Sequence, residues 1–481
     1  MKTNVSLKKC LIIILFIPIT IFSQRNLPIQ KDFPLGKKGE VLKTFIEVIN
    51  SQKNEVELLN TNSSKKNRNE VSEQIYELKA LTGGITFKGI FKSRRLQENQ
   101  TILIIEDKNY TLWRGISITF DNKTDYNIES FSQRLFPKQD EEREISSSKM
   151  IKIISKRVKK LADKDLFSGA VLVAKGNEIL YKKAFGEASK RYHIANNLDT
   201  KFNIASVGKM FTGVSIMQLK EKGKLKIENT IDNYIAESWL PKEISKQITI
   251  HHLLTHTSGL GNYFNEKFIN SSKENFRNIN DFKSLIVNDT LKFEPGKGYY
   301  YSNIGVLLLG VIIEKLSGLD YETYIKENIH KPSNMTNSGF FDMDEPVENL
   351  AIGYIKTREN KYGWKNNLFK HVIKGGPAGG GFSTVTDLYN FMLALKNEKL
   401  VSKQSLELLW KRNTPYRYGY CFEVKNTKIG KQVGHSGGFA GINSEVIYDT
   451  SKDYISVVLS NYETGINTSN FIRELLNRVE D

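Results

Sequence analysis

Ser206 and Lys209 stand three residues apart at the start of an apolar run. On a helix that spacing stacks two side chains one turn above the other. A lysine amine held against a serine hydroxyl can take its proton once desolvated or flanked by other cations. A serine in the first helical turn also lies in the positive field of the helix N-terminus and offers its N–H to a developing oxyanion. The same serine-to-lysine spacing occurs at Ser6, Ser63 and Ser146. Ser6 falls in the apolar N-terminal region and the other two in polar stretches. Only Ser206 leads into Met210, Phe211, Val214 and Met217, which bury one helical face. A serine there could also be no more than a helix cap, so the motif needs partners.

Two stretches offer them. Tyr301 and Asn303 lie two apart on a turn framed by Pro295-Gly296 and followed by the apolar run 304–310. A tyrosine beside a lysine can relay the serine proton to a leaving group, and an asparagine amide can hold a substrate carbonyl. Tyr263-Phe264-Asn265 has the same short pattern; the framing turn favours Tyr301. Gly434-His435-Ser436-Gly437-Gly438 follows the strand-like run 428–434. Glycines there let a substrate backbone lie along a strand edge. A backbone N–H beside such a strand would complete an oxyanion hole with that of Ser206.

The spacing of apolar residues predicts the elements that carry these groups. Residues 41–49 and 69–81 have helical spacing, and four alternating runs follow at 85–91, 100–106, 110–120 and 126–135. Residues 25–145 thus read as a small α+β unit that resembles the nuclear-transport-factor-2-like modules preceding some secreted serine hydrolases. It contains no histidine, and packing or binding is its expected role. The charged stretch 137–144 reads as a linker. Beyond it, a basic amphipathic helix over 150–162 precedes strands at 168–174 and 178–183, then the helix from Ser206 to Glu221. Further strands are expected at 418–425, 428–434, 442–448 and 454–459, with a closing helix over 467–479. The fold class is therefore α/β: a mainly antiparallel sheet built from both ends of residues 150–481, flanked by helices.

The 481 residues are 39% hydrophobic and 11% aromatic, the composition of folded domains rather than disorder. The net charge of +17 is spread along the chain in short runs without any nucleic-acid-binding pattern, so no nucleic-acid partner is expected. Lys2, Lys8 and Lys9 precede an apolar run over 10–22 and the plausible cleavage point Ser23-Gln24. Those 13 residues suit an export signal over 1–23 and fall short of the roughly 20 that span a bilayer. The expected location is periplasmic or extracellular, with no stable span after cleavage. Cys10 leaves with the signal, and Cys421 alone forms no internal disulfide.

Together, Ser206-Val207-Gly208-Lys209, Tyr301-Ser302-Asn303 and His435-Ser436-Gly437 resemble, in order and approximate spacing, the serine β-lactamase and penicillin-binding-protein superfamily. The flanking stretches Ile250 to Leu260 and Ala378 to Thr384 agree with it. Residues 150–481 look like its class C β-lactamase, D-Ala-D-Ala carboxypeptidase and esterase branch. The resemblance implies a β-lactamase/transpeptidase-like domain and an acyl-enzyme on Ser206, with Lys209 and Tyr301 as proton carriers. It implies that Asn303, His435, Ser436 and Gly437 bind substrate, and that the N–H groups of Ser206 and Gly438 form the oxyanion hole. Neither metal nor cofactor is implied. True β-lactamases of the branch usually carry lysine where this chain has His435. Lysine is a fixed cation for a substrate carboxylate, whereas histidine is largely neutral at pH 7. The Pro332-Ser333-Asn334-Met335 stretch is an altered form of another family sequence.

Residues 434–438 also fit the G-x-S-x-G elbow of α/β-hydrolases, but no histidine follows Ser436 and a strand is expected where the elbow needs a helix. His251, His252 and His256 lack a carboxylate at metal-binding spacing and read as packing residues. The expected function is an exported serine hydrolase acting on a small-molecule, peptide or peptidoglycan-fragment amide or ester: a D-Ala-D-Ala-type peptide, a D-amino-acid amide, a carboxylic ester or a β-lactam. The alternative is a penicillin-binding sensor or scaffold that is acylated without turnover.

Overall fold

The computed structural model describes residues 28–51, 67–94, 96–121, 125–136, 144–357, 360–427 and 430–480. The expected export signal, Ser6, Ser63 and all but the last residue of the expected linker lie outside them.

Two antiparallel sheets carry the chain. The first is a meander in sequence order: β1 (Ile29–Gln30), β2 (Ile85–Phe91), β3 (Gln100–Asp107), β4 (Trp113–Phe120) and β5 (Ile128–Leu135). Period-2 alternation divides its side chains between two faces. Leu103, Ile105, Ile116 and Ile118 meet Val41, Leu42 and Phe45 of α1 (Lys37–Asn50) and Val71 and Ile75 of α2 (Arg68–Thr82). Ile102 and Ile104 turn to the other face with Phe91. The two-residue β1 is too short to leave a periodic signal in the sequence. β4 starts three residues later than expected, because Thr111 takes a left-handed turn at φ 54°.

The second sheet joins β6 (Gly169–Lys175) and β7 (Glu178–Phe185) to β8 (Glu423–Asn426), β9 (Lys431–Phe439), β10 (Ile442–Asp449) and β11 (Tyr454–Ser460). Its spatial order is β8-β9-β10-β11-β6-β7, so the two ends of the segment pair through β11 and β6. Val171, Val173 and Val458 point to α3 (Ser147–Asp163) and the closing helix Gly465–Arg478. Leu172, Val457 and Leu459 point the opposite way, into a larger core. That core contains α4 (Lys209–Glu221), α5 (Asn303–Ser317) and α6 (Val385–Lys396). The expected sandwich of an antiparallel sheet between helices is what forms.

Three local expectations are corrected. Ser206 sits in a 3-10 turn, Ala205–Gly208, and the α-helix proper begins at Lys209. Residues 418–422 are a turn rather than strand: Gly419 N–H donates to the Phe422 carbonyl at 2.8 Å, and Cys421 is left-handed at φ 58°. β9 does not stop before the glycine-rich motif but runs through it to Phe439.

The two sheets meet through side chains. Arg114 of β4, 2% exposed, bonds Asp107 at 2.9 Å and reaches Asn467 of the closing helix at 2.7 Å. Tyr110 and Leu112 join the same core as α3 and that helix.

Candidate active site

The chain approaches Ser206 through a strained bend. Phe202-Asn203 pair with Phe382-Ser383, and Ala205 is then left-handed at φ 43°. For a non-glycine residue that conformation costs about 1–2 kcal/mol. It is held from both sides: Ala205 N–H donates to Asn203 Oδ1 at 2.9 Å, and Gly380 N–H donates to the Ala205 carbonyl at 3.1 Å. The glycine-rich stretch 375–381 is thus the floor of the site. A Cβ on Gly379, itself at φ 127°, would lie 2.2 Å from the Ala205 oxygen, so only glycine lets the two backbones meet.

One turn on, Lys209 is fully buried with its Nζ 3.0 Å from Ser206 Oγ. The amine also donates to the Ala378 carbonyl. Burial lowers its pKa to about 7, with the nearby Cys421 thiol opposing slightly. Near neutral pH a sizeable share of Lys209 is therefore free amine, able to receive the serine proton. Tyr301 lies across from it, with Nζ 4.9 Å from the ring centroid. Burial holds this phenol well above its ordinary range, although its hydrogen bond to Ser206 pulls the other way. Tyr301 is accordingly a neutral proton donor rather than a tyrosinate.

The Tyr301 turn is fixed by His256. Its carbonyl accepts Tyr300 N–H at 3.0 Å and its Nδ1 accepts Ser302 N–H at 3.2 Å, so the residues on either side of Tyr301 are tied to one residue. Its ring packs 4.3 Å from that of Tyr301. Burial, then the charges of Lys209 and His435, keep the imidazole well below its usual pKa and hence neutral. Ser302 caps α5 by accepting Gly305 N–H, and Asn303, the first residue of α5, bonds Asn262 at 3.2 Å. The competing Tyr263 is packed among Phe264 and Phe282, while Asn265 caps a short helix by accepting Phe268 N–H.

β9 forms the opposite wall. A Cβ on Gly437 would fall 2.9 Å from Ser206 N and 2.6 Å from the Ile204 carbonyl, so the strand runs hard against the Ser206 turn. Ser436 N–H points outward from the sheet, to Glu423 Oε1 at 3.1 Å. By ladder alternation the N–H of Gly438, two residues on, faces the same open edge. That edge N–H and Ser206 N–H can converge on one oxygen. His435 does not present its ring to the cleft. The imidazole is 2% exposed, taking the Tyr418 hydroxyl on Nε2 at 2.8 Å and donating from Nδ1 to the Ser436 carbonyl at 2.6 Å. Burial outweighs the nearby Glu423 charge and lowers its pKa.

Ser206, Lys209, Tyr301 and the β9 stretch 435–438 are thus brought together from separate elements, with Asn303 two residues beyond Tyr301 at the start of α5. Sequence reasoning read His256 as a packing residue without its hold on the Tyr301 turn, and missed Tyr418 and Glu423. The left-handed φ of 59° at His256 and its bonds across 46 residues leave no periodic trace. Glu423 was visible only as one charged residue in a strand-like run. His251 and His252 are employed separately, on Tyr420 and in capping a short helix. Among the described residues no group of three His, Cys, Asp or Glu side chains is arranged to hold a metal ion.

Residues 152–477 match the family described as Beta-lactamase. The chain is 33% identical over 323 residues to penicillin-binding protein 4* of Bacillus subtilis, covering 63% of this chain and 70% of that protein. The crystal structure of a penicillin binding protein from Bacillus halodurans superposes with a TM-score of 0.61 at 29% identity, covering 68% of this chain and 98% of that one. D-amino acid amidase from Ochrobactrum anthropi shares the fold, with a TM-score of 0.58 at 19% identity over 68% of this chain and 98% of the amidase.

Proposed function

The chain belongs to the beta-lactamase family of serine hydrolases, and on that premise we propose that it hydrolyses a small ester or amide through an acyl-enzyme on Ser206. The observation that carries this reading is the buried Lys209 amine, lowered to about 7 and 3.0 Å from Ser206 Oγ. In the proposed reaction, free Lys209 takes the Ser206 proton as Oγ attacks the carbonyl. The oxyanion accepts from Ser206 N–H and Gly438 N–H, with Asn303 and the β9 edge holding the rest of the substrate. Tyr301 gives its phenolic proton to the departing atom, and Lys209 returns a proton to Tyr301. Water then enters, and the same groups release the acid.

Residues 25–145 are proposed as a packing module and 150–481 as the hydrolase unit. Residues 1–23 are proposed as an export signal, on the strength of Lys2, Lys8, Lys9 and the short apolar run. Among the described residues no helix is long and apolar enough to cross a membrane.

The test is turnover of a nitrophenyl ester, with a chromogenic cephalosporin and a D-Ala-D-Ala peptide as comparators, by wild type and Ser206→Ala. Multiple turnovers by wild type, a trapped acyl adduct on Ser206 and loss of both in the variant are expected. Full turnover by Ser206→Ala sinks the site assignment. Acylation of wild type without product release supports the sensor reading instead.

A further inference from the structure

The edge of β9 that the substrate is expected to line is already occupied by a carboxylate. Glu423, on β8, takes both outward donors of Ser436 on one oxygen: the backbone N–H at 3.1 Å and the hydroxyl at 2.5 Å. Its other oxygen makes no hydrogen bond among the described residues, and the side chain is 41% exposed. Burial works against its ionisation, but His435, the Ser436 donors and Arg473 outweigh it and hold the carboxyl below its ordinary range. Arg473 is bonded to Glu445, and burial lowers the pKa of His435, 3.7 Å from Glu423 through Nδ1.

A substrate carboxylate arriving here would meet a fixed negative charge and find the Ser436 donors taken. An ammonium group would meet a free carboxylate oxygen. Tyrosine rings stand within electrostatic reach of the same carboxylate: the Glu423 charge bears on Tyr299, which stacks on the partly exposed Tyr416 at 4.5 Å between centroids. A carboxylate beside tyrosine rings is a cation-binding arrangement.

The side of the substrate follows from the proton path. Glu423 reaches Tyr301 through His435, whose ring centroid is 6.4 Å from that of Tyr301. Tyr301 protonates the departing atom, so the group at Glu423 belongs to the leaving half. We propose that Glu423, with Tyr299 and Tyr416, selects esters or amides whose leaving half carries a cation, and disfavours those whose leaving half carries a carboxylate. This rests on the Ser206 acyl-enzyme reading and narrows its substrate class away from peptides with a free C-terminal carboxylate.

The test uses three benzoylglycyl thioesters that differ only in the leaving thiol: thioglycolate, ethanethiol and thiocholine. Thiol release is followed with a chromogenic disulfide and corrected for spontaneous hydrolysis. Wild type should turn over the thiocholine ester with a kcat/KM at least about tenfold above that for the thioglycolate ester, with the neutral ester between, as expected for one opposed or matched charge at a partly screened site. In Glu423→Gln the cation-to-anion ratio should collapse towards one. The wild-type ratio, divided by the ratio of the esters' own hydroxide hydrolysis rate constants so that thiol acidity cancels, needs no variant and decides the matter if Glu423→Gln does not fold. Turnover of all three esters without that order, or with the carboxylate preferred, overturns the inference and leaves the acyl-enzyme reading standing. No turnover and no benzoylglycyl adduct on Ser206 with any of them overturns both.

Discussion

Burial moves Lys209 and Tyr301 in opposite directions along the pH scale, because desolvation disfavours whichever form is charged. The amine comes down to about 7, while the phenol goes well above its usual range. One group is thereby ready to accept a proton and the other to give one. Hydrolysis of an uncharged ester should lose kcat/KM as pH falls through about 7, the acid limb reporting protonation of Lys209. A pH profile without that limb would remove Lys209 from the role of base. The same shift has a stability consequence. The folded pKa lies below the ordinary lysine value of 10.5, so between the two the unfolded chain binds more protons and stability rises with pH. Lys209→Met removes a buried ionisable group that is costly at neutral pH. Its thermal midpoint should rise by a few degrees while turnover is lost. Tyr301→Phe should lower kcat by about 10²–10⁴ with little change in the midpoint, since the ring packing on His256 survives.

At the scale of elements, the site depends on backbones that touch. β9 and the 3-10 turn approach so closely that a methyl on Gly437 would meet Ser206 N and the Ile204 carbonyl. Gly437→Ala should therefore cost at least about 10² in kcat/KM by moving an oxyanion donor. The fold should survive, because β9 keeps its pairing with β10 on the other side. Circular dichroism and thiol-ester kinetics on the same sample separate the two effects. β8 matters for a different reason. Four residues long, it pairs with β9 only from Lys431 to Gly434, and past that pairing the Glu423 side chain takes the Ser436 donors, so the strand edge is open only beyond Ser436.

At the scale of the whole molecule, the two sheets are coupled through Arg114. The guanidinium sits between Asp107 of its own sheet and Asn467 of the closing helix, which packs on β10 and β11. Burial holds Asp107 above its usual range even with Arg114 bonded to it. Removing the cation alone strands a buried acid, so Arg114→Met should destabilise by about 3–5 kcal/mol. Adding Asp107→Leu should recover much of that loss. A denaturation series on the single and double variants measures it. Equal destabilisation in both would show that Arg114 acts through packing rather than charge.

The sequence by itself determined the periodic parts: the helices and strands whose apolar spacing is local, the antiparallel sheet assembled from both ends, and the Ser206–Lys209 pair one turn apart. Those follow from short-range geometry, which a linear pattern records. What only the tertiary structure decided concerns groups far apart in the chain. The lowered pKa of Lys209, the Tyr301 turn tied to His256 across 46 residues and the Glu423 carboxylate on the Ser436 donors depend on burial and on which backbones meet. His435 shows the difference. Its place in the motif was legible, and so was its lack of a fixed charge. That its ring turns inward to Tyr418, leaving a carboxylate at the substrate edge, came from packing alone.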